Sequence, residues 1–202
     1  MRPPRADNQE AVTDADVVLL CLRAADAPEV LKGLTFRPRQ RVIGVMPSLS
    51  VAELRDMVGP VAEISRAIPA VSVAERAGLT PVYPAGSAAE ATFAELGSTV
   101  PLGTEAQLEA ASAASATVAA HFAYLTTIVE WLAGRGVDAG QARRLVGAVF
   151  TGAAADLATA SAFDELAGQH ATPGGQNEQL LAGLRRAGVY EAVGQGLDDL
   201  LG

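Results

Sequence analysis

One stretch limits what this chain can fold into more than any other. Residues 105–133 read EAQLEAASAASATVAAHFAYLTTIVEWLA. Leu108, Ala111, Ser115, Val118, Phe122, Leu125, Val129 and Leu132 recur at alternating steps of three and four, a helical seam with the coiled-coil period. A neighbouring face, made of Ala114, Thr117, His121, Tyr124, Ile128 and Trp131, is also mostly uncharged, and charge enters only at Glu105, Glu109 and Glu130. A helix of this length spans roughly 43 Å. It has more apolar surface than one partner can cover, so burial on two sides is expected: within its own domain and against a second copy of the chain.

The rest of the composition suits closely approaching helices. Half of the 202 residues are hydrophobic but only 4% are aromatic, so the core must be built from Ala, Val and Leu. The net charge of −8 repels phosphate backbones and argues against a nucleic-acid partner. Cys21 is the only cysteine, so neither an internal disulfide nor a cysteine-based metal site is available. Its place in an apolar strand predicts a small buried thiol. The N-terminal residues, MRPPRADNQE, have no apolar signal region, and residues 1–7 read as a disordered leader. The long apolar stretch contains Glu, His, Ser and Thr. It reads as a buried helix of a soluble, cytoplasmic protein rather than a membrane span.

Before residue 104 the chain alternates strand and helix. Residues 8–13 suit a short helix, and 17–22 form an apolar run that fits a parallel strand buried on both faces. A helix over 26–34 tolerates Pro28 near its start. RVIGVM at 41–46 is a second strand. Ser50 and Glu53 have capping-box spacing ahead of a helix over 51–57, which Gly59-Pro60 stops. Residues 61–66 and 79–83 are further strands, followed by a helix over 88–96 and a short strand over 98–102. This order predicts a doubly wound parallel sheet. A strand followed by G-x-G-x-x-G, the usual opening of a nucleotide-binding fold, does not occur in these residues.

After residue 133 only helices are expected. Gly134-Arg135-Gly136 reads as a C-cap and linker. Asp138 caps a helix whose inner stripe is Ala142, Leu145, Val149, Ala153 and Leu157, with Gly147 and Gly152 reserved for a close helix neighbour. A short helix covers 163–170. Thr172 with Pro173 reads as the N-cap and first residue of a helix running to about Ala187, and a final helix covers 189–201.

Several segments, in order, resemble pyrroline-5-carboxylate reductases. Residues 15–20 (ADVVLL) are similar to the family's ADVV-apolar strand, and 42–50 take the place of its second strand and AG-x-S turn. Residues 66–84 (RAIPAVSVAERAGLTPVYP) run without gaps against its R-V-M-P-N-T-P segment and following strand. Ala123-Tyr124 falls where the family has P-A-Y, and Thr172-Pro173-Gly174-Gly175 is similar to its S-P-G-G-T-T. The resemblance implies an α/β plus all-α fold: a partial Rossmann-like parallel sheet over 1–103 and a helical dimerisation domain over 104–202. It implies reduction of the C=N bond of a small cyclic imine with NADP(H) or NAD(H), the step that gives proline. Cofactor contacts are implied at Leu22, Arg23, Ile68 and Pro69. Substrate contacts are implied at Ala123, Tyr124, Thr172, Gly174 and Gly175.

The departures fall on the chemistry. The family's opening strand and glycine loop are not in these residues; a reading frame starting about sixty residues earlier would supply them. Its Lys-Pro is here Arg23-Ala24, its Met-Pro-Asn is Ile68-Pro69-Ala70, its G-S-G-P is Ala119-Ala120-His121-Phe122, and its Thr-Thr is Gln176-Asn177. Thr172–Gly175 offers a helix N-terminus suited to a carboxylate, or only a capped helix start. Arg23 suits a cofactor phosphate or a solvated strand end. His121 is a proton donor or a packed interface histidine, and neither it nor His170 has a carboxylate or metal-ligand partner at helical spacing. No residue earns a catalytic assignment from the sequence, and no metal is expected. Two functions remain: a homodimeric reductase with an altered substrate, or a dimeric remnant or binding module without catalysis.

Overall fold

The computed structural model describes residues 7–157 and 162–202. The leader expected over 1–7 lies outside them except for Asp7, whose carboxylate accepts from the Gln9 N–H at 2.9 Å and caps α1 (Asn8–Asp14). Contacts divide the chain into two units, Met1–Ala114 and Ser115–Gly202.

The first unit is built on a five-stranded sheet of β1 (Val17–Leu20), β2 (Arg41–Gly44), β3 (Glu63–Ala67), β4 (Leu79–Tyr83) and β5 (Ser98–Pro101), in that spatial order. β1, β2 and β3 are parallel, with Val18 opposite Val42 and Val42 opposite Ile64. Helices α2 (Ala27–Leu31) and α3 (Val51–Val58) join them. The expected capping box starts α3: Ser50 Oγ accepts from the Glu53 N–H at 3.1 Å, and Glu53 Oε2 accepts from the Ser50 N–H at 2.7 Å. α4 (Ala88–Ala94) joins β4 to β5, which are again parallel.

The all-parallel expectation needs a correction at β4, which runs antiparallel to β3 with Arg66 opposite Tyr83 and Ala67 opposite Val82. The intervening segment holds only a 3-10 turn, Val71–Glu75. A parallel return needs a crossover element, usually a helix, and none is there.

Apolar side chains pack on both faces of the sheet. On one face Val18 and Leu20, Val42 and Ile64 meet Val12, Leu31, Leu54 and Val58 from the helices. On the other, Ile43, Ala67 and Val82 meet Ala88, Ala89 and Phe93 of α4. Gly44 lets α3 approach, since a Cβ there would meet Leu54 Cδ1 at 2.7 Å.

The second face stops short of β1. Leu19 is 44% exposed and Cys21 is exposed, so the expected two-faced burial of 17–22, and with it the buried thiol, is wrong. β1 is an edge strand. Asp16 and Leu20 carbonyls accept from Arg41 and Val45 of the β2 segment. By parallel-strand alternation, the backbone groups of Val17, Leu19 and Cys21 then face the open side.

The long apolar stretch forms α5 (Glu105–Ser115) and α6 (Thr117–Ala133), parted by a turn at Ala116 whose backbone stays in the right-handed region. α5 is anchored in the first unit through Leu108, which is fully buried. In the second unit α6 packs on α7 (Ala139–Asp156), followed by α8 (Phe163–His170), α9 (Gln176–Arg186) and α10 (Val189–Asp199). Asp138 caps α7 as expected, accepting from the Gly140 and Gln141 N–H groups at 3.0 Å. The inner stripe read for α7 does not hold within one chain: Ala142 and Val146 are buried, whereas Leu145 and Val149 are exposed. Among the described residues, no other helix closes on Gly147 or Gly152. α6 itself buries no residue, and Val118, Phe122 and Trp131 are exposed.

Candidate functional site

Parallel strands bind ligands at their C-terminal ends, because loops there splay apart and helix N-termini point toward the gap. Leu22 and Arg23 follow β1, and Ile68 and Pro69 follow β3, so these four residues lie at the same end of the parallel part of the sheet. The Ile68 N–H donates to the Pro81 carbonyl at 3.0 Å, which pins the turn that Pro69 shapes. Arg23 is a solvated cation whose Nε donates to Asp26 Oδ2 at 2.6 Å. An exposed guanidinium at this end of the sheet fits a cofactor phosphate in sign and place.

The Thr172–Gly175 segment is the second place. Its local fold differs from expectation: α9 begins at Gln176 with Gly175 as N-cap, and Thr172–Gly175 forms a turn ahead of it, in which the Gly175 N–H donates to the Thr172 carbonyl at 2.8 Å. The two glycines have distinct reasons. Gly174 sits at φ 74, where side chains are strained, and a Cβ on Gly175 would lie 2.9 Å from the Thr172 carbonyl oxygen. Thr172, Gly175, Gln176, Asn177 and His170 line a cavity of about 240 Å³.

Two features here escape a reading of the sequence alone. Glu178 turns back, and its Oε2 accepts from the Gly174 N–H at 2.7 Å, so a carboxylate of the chain already sits at this helix start. An acid at the third helical position was the available signal. The second is a contact between His170 Nε2 and Asp156 Oδ2 at 3.5 Å. Asp156 ends α7 and His170 ends α8; no helical spacing links them, which is why pattern reading misses the pair.

Tyr124 marks a third place, on the side of α6 that meets α7, and Ala123 before it is exposed. The Tyr124 ring stands edge-on to Phe150 at 6.0 Å, and the His121 ring meets the same Phe150 at 5.9 Å. His121 therefore sits in an aromatic cluster. No group of three or more metal-ligating side chains occurs among the described residues.

Residues 105–201 match the family described as pyrroline-5-carboxylate reductase dimerisation. These residues belong to that dimerisation-domain family. The fold agrees over nearly the whole chain. The 1-pyrroline-5-carboxylate reductase of Streptococcus pyogenes superposes with a TM-score of 0.85 at 20% identity, covering 97% of this chain and 78% of that one. A pyrroline-5-carboxylate reductase from Coxiella burnetii gives a TM-score of 0.77 at 22% identity, covering 98% and 77%. The Plasmodium falciparum pyrroline carboxylate reductase, solved with NADP bound, gives 0.83 at 16% identity, covering 98% and 79%. No curated protein matches the sequence. The expected resemblance, over 105–201, and the fold class, a mostly parallel Rossmann-like sheet followed by a helical domain, therefore stand.

Proposed function

We propose that the protein is a homodimeric, cytoplasmic NAD(P)H-dependent reductase. Its substrate is a small cyclic imine or related carboxylate, other than the family's usual one, taken at a site shared between subunits. The observation that carries this reading is the common placement of Arg23 and Ile68-Pro69 at the C-terminal end of the parallel strands, in a chain with this family's dimerisation domain. When bound, the nicotinamide supplies hydride. The chain's part is to hold it: Arg23 on a phosphate, Leu22, Ile68 and Pro69 against its apolar surface. Substrate contacts belong to Ala123, Tyr124, Thr172, Gly174 and Gly175, and the methyl groups, imidazole and phenyl ring at 119–122 reshape the pocket away from the usual substrate.

A second reading, a dimer without catalysis, has one observation in its favour: the Glu178 carboxylate already occupies the Gly174 N–H. Titration of the protein with NADPH and NADH, followed by nucleotide fluorescence, separates the two. Saturable binding and cyclic-imine-dependent nucleotide oxidation are expected. A dimer that binds neither nucleotide supports the second reading.

A further inference from the structure

Reduction of a C=N bond needs a proton as well as a hydride, and the proposed reading leaves the proton without a source. The second unit holds a group suited to it. His170 lines the 240 Å³ cavity beside Thr172, Gln176 and Asn177, and its Nε2 faces Asp156 Oδ2 at 3.5 Å. The Asn177 side-chain amide donates to the His170 carbonyl at 3.0 Å and ties this residue to the start of α9. Both partners of the contact are about half exposed, and such an exposed pair adds little to stability. Stability is thus a weak reason for its presence. A carboxylate that fixes one imidazole nitrogen leaves the other to exchange a proton with a ligand, which is how a histidine is oriented for acid–base work. Apart from His170, the residues lining this cavity are neutral, and a space of this size is below the ~300–1,000 Å³ of drug-sized pockets.

We infer that His170 is the proton donor to the imine nitrogen of a small cyclic imine carboxylate, with Asp156 as its positioning residue. The inference rests on the proposed reductase reading. The imine carbon receives hydride from the reduced nicotinamide, the C=N electron pair passes to nitrogen, and nitrogen takes the proton from the His170 ring. The imine is reduced to the amine, the nicotinamide is oxidised, and His170 regains its proton from water.

The chain's two histidines make the test direct, because His170→Gln identifies the His170 imidazole signal by its loss from the proton NMR spectrum. Titrating the unsubstituted protein with L-proline and L-pipecolate, saturated counterparts of five- and six-membered imine carboxylates, is expected to move the His170 signal saturably. Asp156→Asn should broaden or shift that signal before any ligand is added. In NADPH oxidation with the matching cyclic imines, His170→Gln should lower kcat at least 100-fold with KM within about threefold. Asp156→Asn should lower kcat roughly tenfold. An amino acid that binds by calorimetry without moving the His170 signal, or a His170→Gln enzyme with unchanged kcat, overturns the inference and leaves the reductase reading standing. Absence of both nucleotide binding and turnover in the unsubstituted protein overturns both.

Discussion

Arg66 Nη1 lies 2.6 Å from Glu109 Oε1, and the guanidinium is almost wholly buried at 1% exposure while the carboxylate is about a third exposed. Glu105 Oε1 completes the arrangement at 3.1 Å and also accepts from the Val51 N–H at 2.8 Å, so β3, the start of α3 and α5 meet at one cation. Two of the few charges in an otherwise apolar helical stretch thus neutralise a buried arginine on the sheet. The asymmetry of exposure sets an order among variants. Replacing both carboxylates (Glu105→Gln with Glu109→Gln) strands a buried charge and should destabilise the protein by about 3 kcal/mol, the low end for a broken buried pair because solvent reaches the carboxylates. Arg66→Met should cost less, since the two carboxylates can hydrate. Urea unfolding of the three proteins checks the order; equal losses would mean that the charges do not interact as described.

The capping box at α3 gives a pH dependence. The Ser50 hydroxyl, and then its backbone N–H, hold the Glu53 carboxyl below the ordinary carboxylate value. A depressed folded-state value means that the unfolded chain takes up the proton first as acid is added. The contribution is therefore complete above the ordinary carboxylate range and fades as pH falls through the lower folded value. Ser50→Ala removes the acceptor of the Glu53 N–H and should cost about 1 kcal/mol at neutral pH. Thermal melts at pH 7 and pH 3 are the measurement: the difference between the two proteins should shrink in acid, and a constant difference would refute the coupling.

The open edge of β1 makes a prediction about Cys21. The thiol is exposed, yet partial desolvation pushes its pKa above the ordinary thiol value. Because the thiolate is the reactive form, a raised value slows alkylation at neutral pH and moves the rise in rate to higher pH. In the native protein, iodoacetamide should modify Cys21 fully, but more slowly at pH 8 than an unperturbed thiol such as that of free cysteine. No modification without denaturant would show that the β1 edge is covered.

These residues also show what a sequence can convey. The capping box, the Asp138 cap, the strands at β2 and β4 and the start of α8 are local matters of spacing and propensity, and they were readable. The direction of β4, the bareness of β1 and the partner of Arg66 depend on which segment lies alongside, and no local pattern carries that. The same division holds at the candidate site. Thr172-Pro173-Gly174-Gly175 stood out as a motif, while the Asp156–His170 pair and the return of Glu178 to Gly174 arise only when helix ends are brought together.

The last prediction concerns the surface of α6. Val118, Phe122 and Trp131 are each more than half exposed, as are Leu145 and Val149 on α7. Monomeric proteins rarely leave so many large apolar side chains uncovered on neighbouring helices. The stretch Glu105–Ala133 is long and apolar enough to cross a membrane, so two coverings compete: a bilayer and a second copy. Glu130, His121 and the Thr126 and Thr127 hydroxyls lie along α6, and an ionisable group within a bilayer is costly. The family match at 105–201 is to a dimerisation domain, which favours the second copy. Because Phe122 is exposed within one chain, Phe122→Glu should leave the helical circular dichroism intact. It should weaken association by about 2 kcal/mol or more, the loss seen when a central aromatic anchor is removed. Equilibrium sedimentation at micromolar concentration should find a dimer for the parent and a growing monomer fraction for the variant. A parent that is monomeric there, or that floats with neutral phosphatidylcholine vesicles, would rule out the self-association read from this helix.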